Sequence, residues 1–260
     1  MRLAAIFCVW DDYELLNRSI DNIWPLVDQV IVMYSIESNF GELSERPVPL
    51  SDKPILAYPR EPDFDLTPQQ NERRKRNSGL EIARQLGFTH FIMCDSDEMY
   101  EPEAFLKEKE HIEKENITGT VCRTKVYFKR PDLTIGFDTT LVPFIHKITP
   151  DLRFEWNTKY PFAFEGPRKD IRIDPTRQLN ITSGVEMSEI VMHHYSWIRK
   201  DFDKKIRNST ARQNIENSTI LKDLLNAKPG YFCEFYGKTL EPSSDLFNLC
   251  SLEFIKEQKD

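Results

Sequence analysis

Hydrophobic positions along the chain arrive in short blocks rather than in long spans. Residues 3–9, LAAIFCV, are a continuous apolar run of strand length. From 13 to 25 the apolar positions Leu15, Leu16, Ile20, Ile23 and Trp24 recur at helical spacing, and Pro25 ends that segment. Residues 28–35, DQVIVMYS, are rich in β-branched side chains and predict a second strand. The opening is therefore β-α-β, with parallel strands and a right-handed crossover. Residues 36–54 are irregular, with Pro47, Pro49 and Pro54, and a third short strand is predicted at 55–58. Pro59, Pro62 and Pro68 mark the loop that follows.

A helix is predicted over 69–86, with Gly87 as its C-cap. The apolar run at 89–94 then predicts a buried strand that leads directly into Asp95-Ser96-Asp97-Glu98. Pro102 opens another helix through about Glu115, and residues 119–130 alternate as a strand. After 131 short strands and aromatic turns replace the β-α rhythm as far as 197. A polar helix is expected over 200–226, with Ile206, Ile215, Leu221 and Leu224 as its apolar stripe, and a further short helix over 229–260. This predicts an α/β fold: a mixed sheet with helices on both faces, a strand-rich second half and a helical C-terminal extension. One domain is expected over 1–200, in halves 1–118 and 119–200, with the extension at 201–260 packed on it.

Composition narrows the function classes. The chain has 260 residues, is 40% hydrophobic and 30% charged, and carries a net charge of -7. That balance is globular, and it argues against a broad nucleic-acid-binding face. An anionic ligand would need a local basic site or a metal ion. No apolar run approaches the length of a membrane-spanning helix. The N-terminal residues read as a first strand rather than a signal peptide. The five cysteines, Cys8, Cys94, Cys122, Cys233 and Cys250, are odd in number and none is CxxC-spaced. Reduced thiols in a cytoplasmic protein are the expectation.

Three features carry candidate chemistry. The first is FIMCDSDEMYEP. A strand that ends in Asp95 and Asp97 puts both carboxylates at the sheet edge where α/β proteins bind ligands. Crowded carboxylates repel unless a cation joins them, and Mn²⁺ or Mg²⁺ with oxygen ligands can hold a diphosphate. A solvated turn that caps the next helix is the bland alternative. The second is the run Arg73, Arg74, Lys75, Arg76, Asn77, which stands out in an acidic protein. Arginine adds fork-shaped donors for phosphate, although at most two of these four cations can face one site from a helix. The third is His193-His194-Tyr195-Ser196-Trp197. Adjacent strand residues point to opposite faces, so one histidine can complete a metal shell while the other is structural. Trp10, after the first strand, can stack on a base or sit in the core.

Together these residues resemble a GT-A-type glycosyltransferase of the family-2-like group, which includes small viral and bacterial enzymes. The carrying segments are DSDE at 95–98, RNSG at 76–79 and HYSW at 194–197, and the whole stretch 76–98 follows the family's pattern. The resemblance covers roughly residues 1–200, with 1–118 as the nucleotide-binding half and 119–200 as the acceptor half. It implies a metal-dependent, inverting transfer of a sugar from a UDP- or GDP-sugar to a glycan or other hydroxyl acceptor. It implies that Asp97 ligates Mn²⁺ or Mg²⁺ and that Asp95 assists the metal or the ribose. His194, or else His193, contacts the metal or phosphate. Arg73, Arg76, Asn77 and Ser96 lie near the nucleotide, and the segment Trp10 to Asp12 holds the base. An inverting member needs a carboxylate base, for which Glu165 is the first candidate, then Glu155 and Asp138. The loop YSIESNFGE departs from the family's acidic run after the second strand. That leaves uridine and guanosine both open. Two rival readings are a sugar-1-phosphate nucleotidylyltransferase and a non-catalytic carbohydrate- or partner-binding module. The first usually has a glycine-rich phosphate loop, and residues 8–20 contain no glycine.

Overall fold

The computed structural model describes residues 1–11, 13–45, 51–157, 160, 172–210, 212, 215 and 218–256. The first elements are β1 (Leu3–Val9), α1 (Tyr13–Ile23), β2 (Gln29–Tyr34), β3 (Leu56–Pro59), α2 (Pro68–Gln85) and β4 (His90–Cys94). Then follow β5 (Glu98–Met99), α3 (Pro102–Glu115), β6 (Gly119–Phe128), β7 (Arg130–Lys147), β8 (Arg172–Ile173) and β9 (Val185–Trp197). The first half matches the predicted β-α rhythm to within a residue or two at most ends.

The strands form one mixed sheet in the order β3-β2-β1-β4-β7-β6-β9-β5, with β8 also paired to β7. β3, β2, β1 and β4 run parallel, β7 is antiparallel to β4, and β6 runs parallel to β9. The chain leaves β1 towards β2 through α1 and returns through α2 to β4 on the other side. A crevice therefore opens outside the carboxyl ends of β1 and β4, the switch point where such sheets bind ligands.

The unbroken apolar character of β1 follows from burial on both faces. Leu3, Ala5, Phe7 and Val9 pack with Leu16, Ile20 and Ile23 of α1, whereas Ala4 and Ile6 pack with Leu80 and Ala83 of α2. Each large apolar side chain so buried contributes about 2 kcal/mol. α2 starts where Thr67 and Gln70 form a reciprocal capping box, with Pro68 in the first turn. Gly79 lets that helix lie close to the sheet. A Cβ there would stand 2.4 Å from Ile6 Cγ2 and 3.0 Å from Met33 Cγ.

Beyond Trp197 the structure departs from the predicted all-helical extension. The described helices are α4 (Phe202–Asn208) and α5 (Ile220–Asn226). In place of a single short helix over 229–260 there is a two-stranded hairpin, β10 (Phe232–Cys233) with β11 (Lys238–Thr239), and then β12 (Glu241–Pro242), which pairs with β7. Helical turns among the described residues of this stretch are a 3-10 turn at Leu249–Ser251 and α6 (Glu253–Lys256). The aromatic residues that broke the helical pattern explain this. Tyr231, Phe235 and Tyr236 pack around Trp197 and Phe128, and the Trp197 indole donates to Tyr236 Oη at 2.7 Å. Among the described residues no helix is long and apolar enough to cross a membrane. The described cysteines are all free.

Candidate functional site

A cleft of about 1640 Å³ lies at the carboxyl ends of β1 and β4. One wall comes from the turn after β4. Asp95 accepts from Arg76 Nη1 at 3.2 Å and from Arg177 Nη2 at 2.7 Å. Burial alone would raise its pKa, but Arg177 and Arg76 hold the carboxyl well below the usual range. Two residues on, Asp97 is 2% exposed and receives an Arg199 guanidinium N–H on Oδ2. Its Oδ1 stands 3.6 Å from His194 Nε2, and Lys205 Nζ is 3.8 Å from Oδ2. Against the cost of burial, the charges of His194 and Lys205 keep Asp97 ionised below the ordinary carboxylate pKa. Asp97 in turn draws the His194 pKa upward against the effect of burial.

Glu98 is turned inward. Arg177 donates to both its carboxylate oxygens, and its Oε2 also accepts the Asp95 main-chain N–H at 3.0 Å. Burial outweighs that support and raises the Glu98 pKa. Oxygens of Asp97 and Glu98 and a ring nitrogen of His194 lie within 4.8 Å of one another, a set that can hold a divalent ion. Two carboxylates and an imidazole are donors that several divalent ions accept, Mn²⁺ among them. Asp97 and His194 reach the cleft, while Glu98 is committed to Arg177.

The opposite wall follows β1. Trp10 lines the cleft, its indole Nε1 is buried without a hydrogen-bond partner among the described residues, and Lys204 Nζ lies 5.7 Å from its ring centroid. Asp11 adopts a left-handed φ of 47°, an uncommon conformation that aspartate tolerates better than most residues. There its Oδ1 accepts from Ser44 Oγ and from the Glu45 main-chain N–H, both at 2.8 Å, and its Oδ2 pairs with Lys204. Lys75 is buried beneath, donating to Ser35 Oγ at 2.7 Å and to the Val9 carbonyl at 3.3 Å. Cations from Lys75–Arg76, Lys129 and Arg199–Lys205 thus line the cleft, interleaved with carboxylates that include Glu14, Glu45 and Glu72.

The structure sorts the sequence-predicted site residues. Trp10, Arg76, Asp95, Asp97 and His194 line this cleft together. His193 points to the other face of β9, where its Nδ1 meets Tyr127 Oη at 2.9 Å and burial lowers its pKa to about 4. Ser96 is buried in the turn and is not part of the lining. Asn77 serves the fold: its side chain donates to the Phe154 carbonyl at 2.9 Å and accepts the Phe154 N–H at 2.7 Å. Arg73 lies on the far face of α2, in a separate cleft. Glu155 is at the surface, paired with Arg153 at 2.7 Å, and Asp138 accepts from the Thr139 N–H; neither lines the cleft. Asp12 and Glu165 lie outside the described residues.

Sequence reasoning included Asp11 only within the segment Trp10 to Asp12, and missed Asp174, Arg177, Arg199, Lys204 and Lys205. Asp174 lines the cleft, with Oδ1 accepting from both the main chain and the hydroxyl of Thr176 at 2.8 Å. The basic run after HYSW, at 199–205, was the available signal for three of them. Arg177 is an isolated arginine in the sequence, and only the fold brings it under Asp95 and Glu98.

No family model matches the chain, and no curated protein matches it in sequence. Among solved structures, S. aureus TarS 1-349 is similar at a TM-score of 0.42 and 14% identity, over 87% of this chain and 71% of that one. A second S. aureus TarS structure gives 0.44 and 14% identity, again over 87% of this chain but 43% of its own. The mannose-1-phosphate geranyltransferase of Thermus thermophilus gives 0.30 and 12% identity, over 50% of this chain and 43% of that one. Likeness at TM-scores below 0.5 assigns no activity, so the residues of the cleft carry the functional reading.

Proposed function

We propose that the chain is a glycosyltransferase of GT-A type that binds a nucleoside-diphosphate sugar in the cleft at the β1 and β4 ends. It transfers the sugar to a hydroxyl acceptor. One observation carries the reading: an acidic turn with an apposed histidine, Asp97 with His194, meets the cations Arg199 and Lys205 at the sheet's switch point. A bare anion site has no use for Asp97, and a bare metal site has no use for the surrounding lysines and arginines. A metal-bound diphosphate needs both.

In this reading Trp10 stacks on the base, and its unpartnered indole N–H is available to a ligand oxygen. Lys204, Lys205 and Arg199 exchange their carboxylate partners for diphosphate oxygens when the donor enters. Asp97 and His194 would hold Mn²⁺ or Mg²⁺, which when bound supplies Lewis-acid stabilisation of the leaving diphosphate. Arg76 and Arg177 keep Asp95 ionised and fixed in direction, so it accepts a ribose hydroxyl or a water of the ion. Asp174, on the strand-rich side of the cleft, takes the acceptor hydroxyl's proton as a general base. Glu165 is the second candidate for that role, and a base on the face opposite the leaving group makes the transfer inverting.

The test is a thermal-shift panel of UDP, GDP, CMP and TDP, each with and without Mn²⁺. A ligand that binds only the native state raises the melting temperature by mass action. The expected result is a rise with one nucleoside diphosphate that requires Mn²⁺. No shift with any of them overturns the reading in favour of a non-catalytic binding module. With a donor identified, Asp174→Asn is expected to lower kcat by about 10²- to 10⁴-fold and leave donor affinity unchanged.

A further inference from the structure

The basic run at 73–76 is divided by the helix that carries it. Lys75 and Arg76 face the cleft already described, and Arg73 and Arg74 face a second one on the other side of α2, of about 690 Å³. Successive residues on a helix turn by about 100°, so four consecutive cations cannot all face one cleft, and the seating of α2 on the sheet sets which of them enter each. Arg60, just beyond the end of β3, brings a third guanidinium to the second cleft.

These three arginines are unmatched. Among the described residues none of them pairs with a carboxylate, and Arg74 Nη1 meets only the Glu61 main-chain carbonyl, at 3.2 Å. Arg60 Nε and Arg73 Nη1 are buried with no hydrogen-bond partner. The one carboxylate in the lining, Glu81, is held by Arg84 and by Gln85 Nε2, the latter at 2.9 Å. Asn77 and Ser78 are likewise satisfied within the protein, by Phe154 and by the Arg74 carbonyl. The charged donors at this cleft are therefore guanidinium N–H groups, in a chain whose net charge is -7.

Buried N–H groups without partners cost free energy, and so do like charges drawn together without a counter-ion. Burial and the neighbouring Arg74 charge lower the Arg60 pKa, in keeping with that cost. A ligand that supplies several oxygens and negative charge relieves both. Guanidinium forks match phosphate oxygens in shape as well as charge. Met33, Ile82 and the Tyr58 ring give the cleft an apolar side for the group that carries the phosphate. We propose that the cleft formed by Arg60, Arg73 and Arg74 binds a phosphoryl group, at a site separate from the Asp97 cleft and independent of its function.

The probe is pyrophosphate, titrated with EDTA present so that no metal-bound diphosphate forms at Asp97. Binding is measured by calorimetry on the full chain and located by the methyl resonances of ¹³C-methyl-methionine protein. Met33 lines the second cleft and no methionine lines the first. The expected result is a pyrophosphate-dependent shift of the Met33 methyl, with affinity weakened at least tenfold in Arg60→Gln/Arg73→Gln and unchanged in Lys205→Gln. Both arginines are partly solvent-facing, so the double variant should fold, and its methyl spectrum without ligand shows whether it does. Arg73→Lys, which keeps the charge, serves if it does not, and is expected to weaken binding because it removes the fork. Inorganic phosphate and phosphorylated sugars in further titrations separate a free-anion source from a phosphorylated acceptor. Absence of a Met33 response, equal affinity in the arginine variants, or loss of binding in Lys205→Gln alone would overturn the proposal. Sulfate that binds as tightly as pyrophosphate would overturn the assignment to a phosphoryl group.

Discussion

His194 Nε2 faces Asp97 Oδ1 at 3.6 Å across the antiparallel β5–β9 pair, in which Glu98 and His194 are register partners. Two structural elements far apart in sequence thus meet on one carboxylate. Arg199 and Lys205 approach its other oxygen, and Arg199 Nη1 also lies 4.0 Å from Glu14. These are the charges that a diphosphate would meet in the proposed function.

Asp97→Asn keeps the shape of the side chain and removes its charge. The variant is expected to lose metal-dependent turnover by more than about 100-fold, since the amide is a poor ligand for a hard ion. It should also unfold more easily. Arg199 would lose its nearer carboxylate and keep Glu14 at 4.0 Å, and breaking a buried pair from one side costs about 3 kcal/mol. Turnover within tenfold of wild type would contradict the first expectation. An unchanged urea midpoint would contradict the second.

Arg177 is the fold's own counter-charge for the acidic turn. It is 1% exposed, donates to Asp95 at 2.7 Å and to Glu98 at 3.0 Å, and its Nε is 3.6 Å from Asp174. Arg177→Met fills similar volume but leaves Asp95 and Glu98 facing each other without it. A loss of about 3–5 kcal/mol in urea unfolding is expected. Arg177→Lys should fall between wild type and Met, because a lysine keeps the charge and cannot fork between two carboxylates. A loss under about 1 kcal/mol for the Met variant would show that the turn does not depend on this residue.

The first four strands and three helices were legible because each is a local pattern: an apolar run, a helical stripe, a proline or a cap. The same holds for the cleft residues that follow strands, Trp10, Asp95 and Asp97. What was not legible is what each residue does once its neighbours arrive. RNSG reads as one ligand-binding motif, yet the structure gives its members three tasks. Arg76 holds Asp95, Asn77 pins the Phe154 main chain, and Gly79 admits Ile6 and Met33. Alternation along a strand shows that His193 and His194 must part, but not which enters the cleft, because that depends on the pairing of β9 with β5 and β6. Arg177 could not be found at all, since its partners are about 80 residues away.

Gly79 gives a prediction about packing alone. It has an ordinary helical φ, so the backbone does not need glycine, but a methyl group would stand 2.4 Å from Ile6 Cγ2. Either Ile6 changes rotamer or α2 lifts from β1. Gly79→Ala is expected to destabilise the chain by about 1–3 kcal/mol, against the usual gain of about 1 kcal/mol for alanine over glycine in a helix. The pair Gly79→Ala/Ile6→Val removes part of the clash and should recover some of the loss. A stabilised Gly79→Ala protein would mean that the helix is free to move away from the sheet.

Acid should act first on His146. This residue is 2% exposed, lies beside Gly119 and Phe91, and burial lowers its pKa to about 3 even though a hydrogen bond with Thr120 opposes the shift. In the unfolded chain it protonates near its ordinary value of 6.5. Between those two values the unfolded state binds the extra proton, so the contribution is complete above about pH 6.5 and is lost as the pH falls towards 3. The slope approaches about 1.4 kcal/mol per pH unit once the unfolded histidine is fully protonated. His146→Gln removes the titrating group. Its urea-unfolding free energy is expected to lie below that of wild type at pH 7 and to fall less steeply between pH 6 and pH 4. Parallel curves for the two proteins would assign the acid sensitivity to other groups, with His90 and His193 next in line because burial lowers both pKa values to about 4.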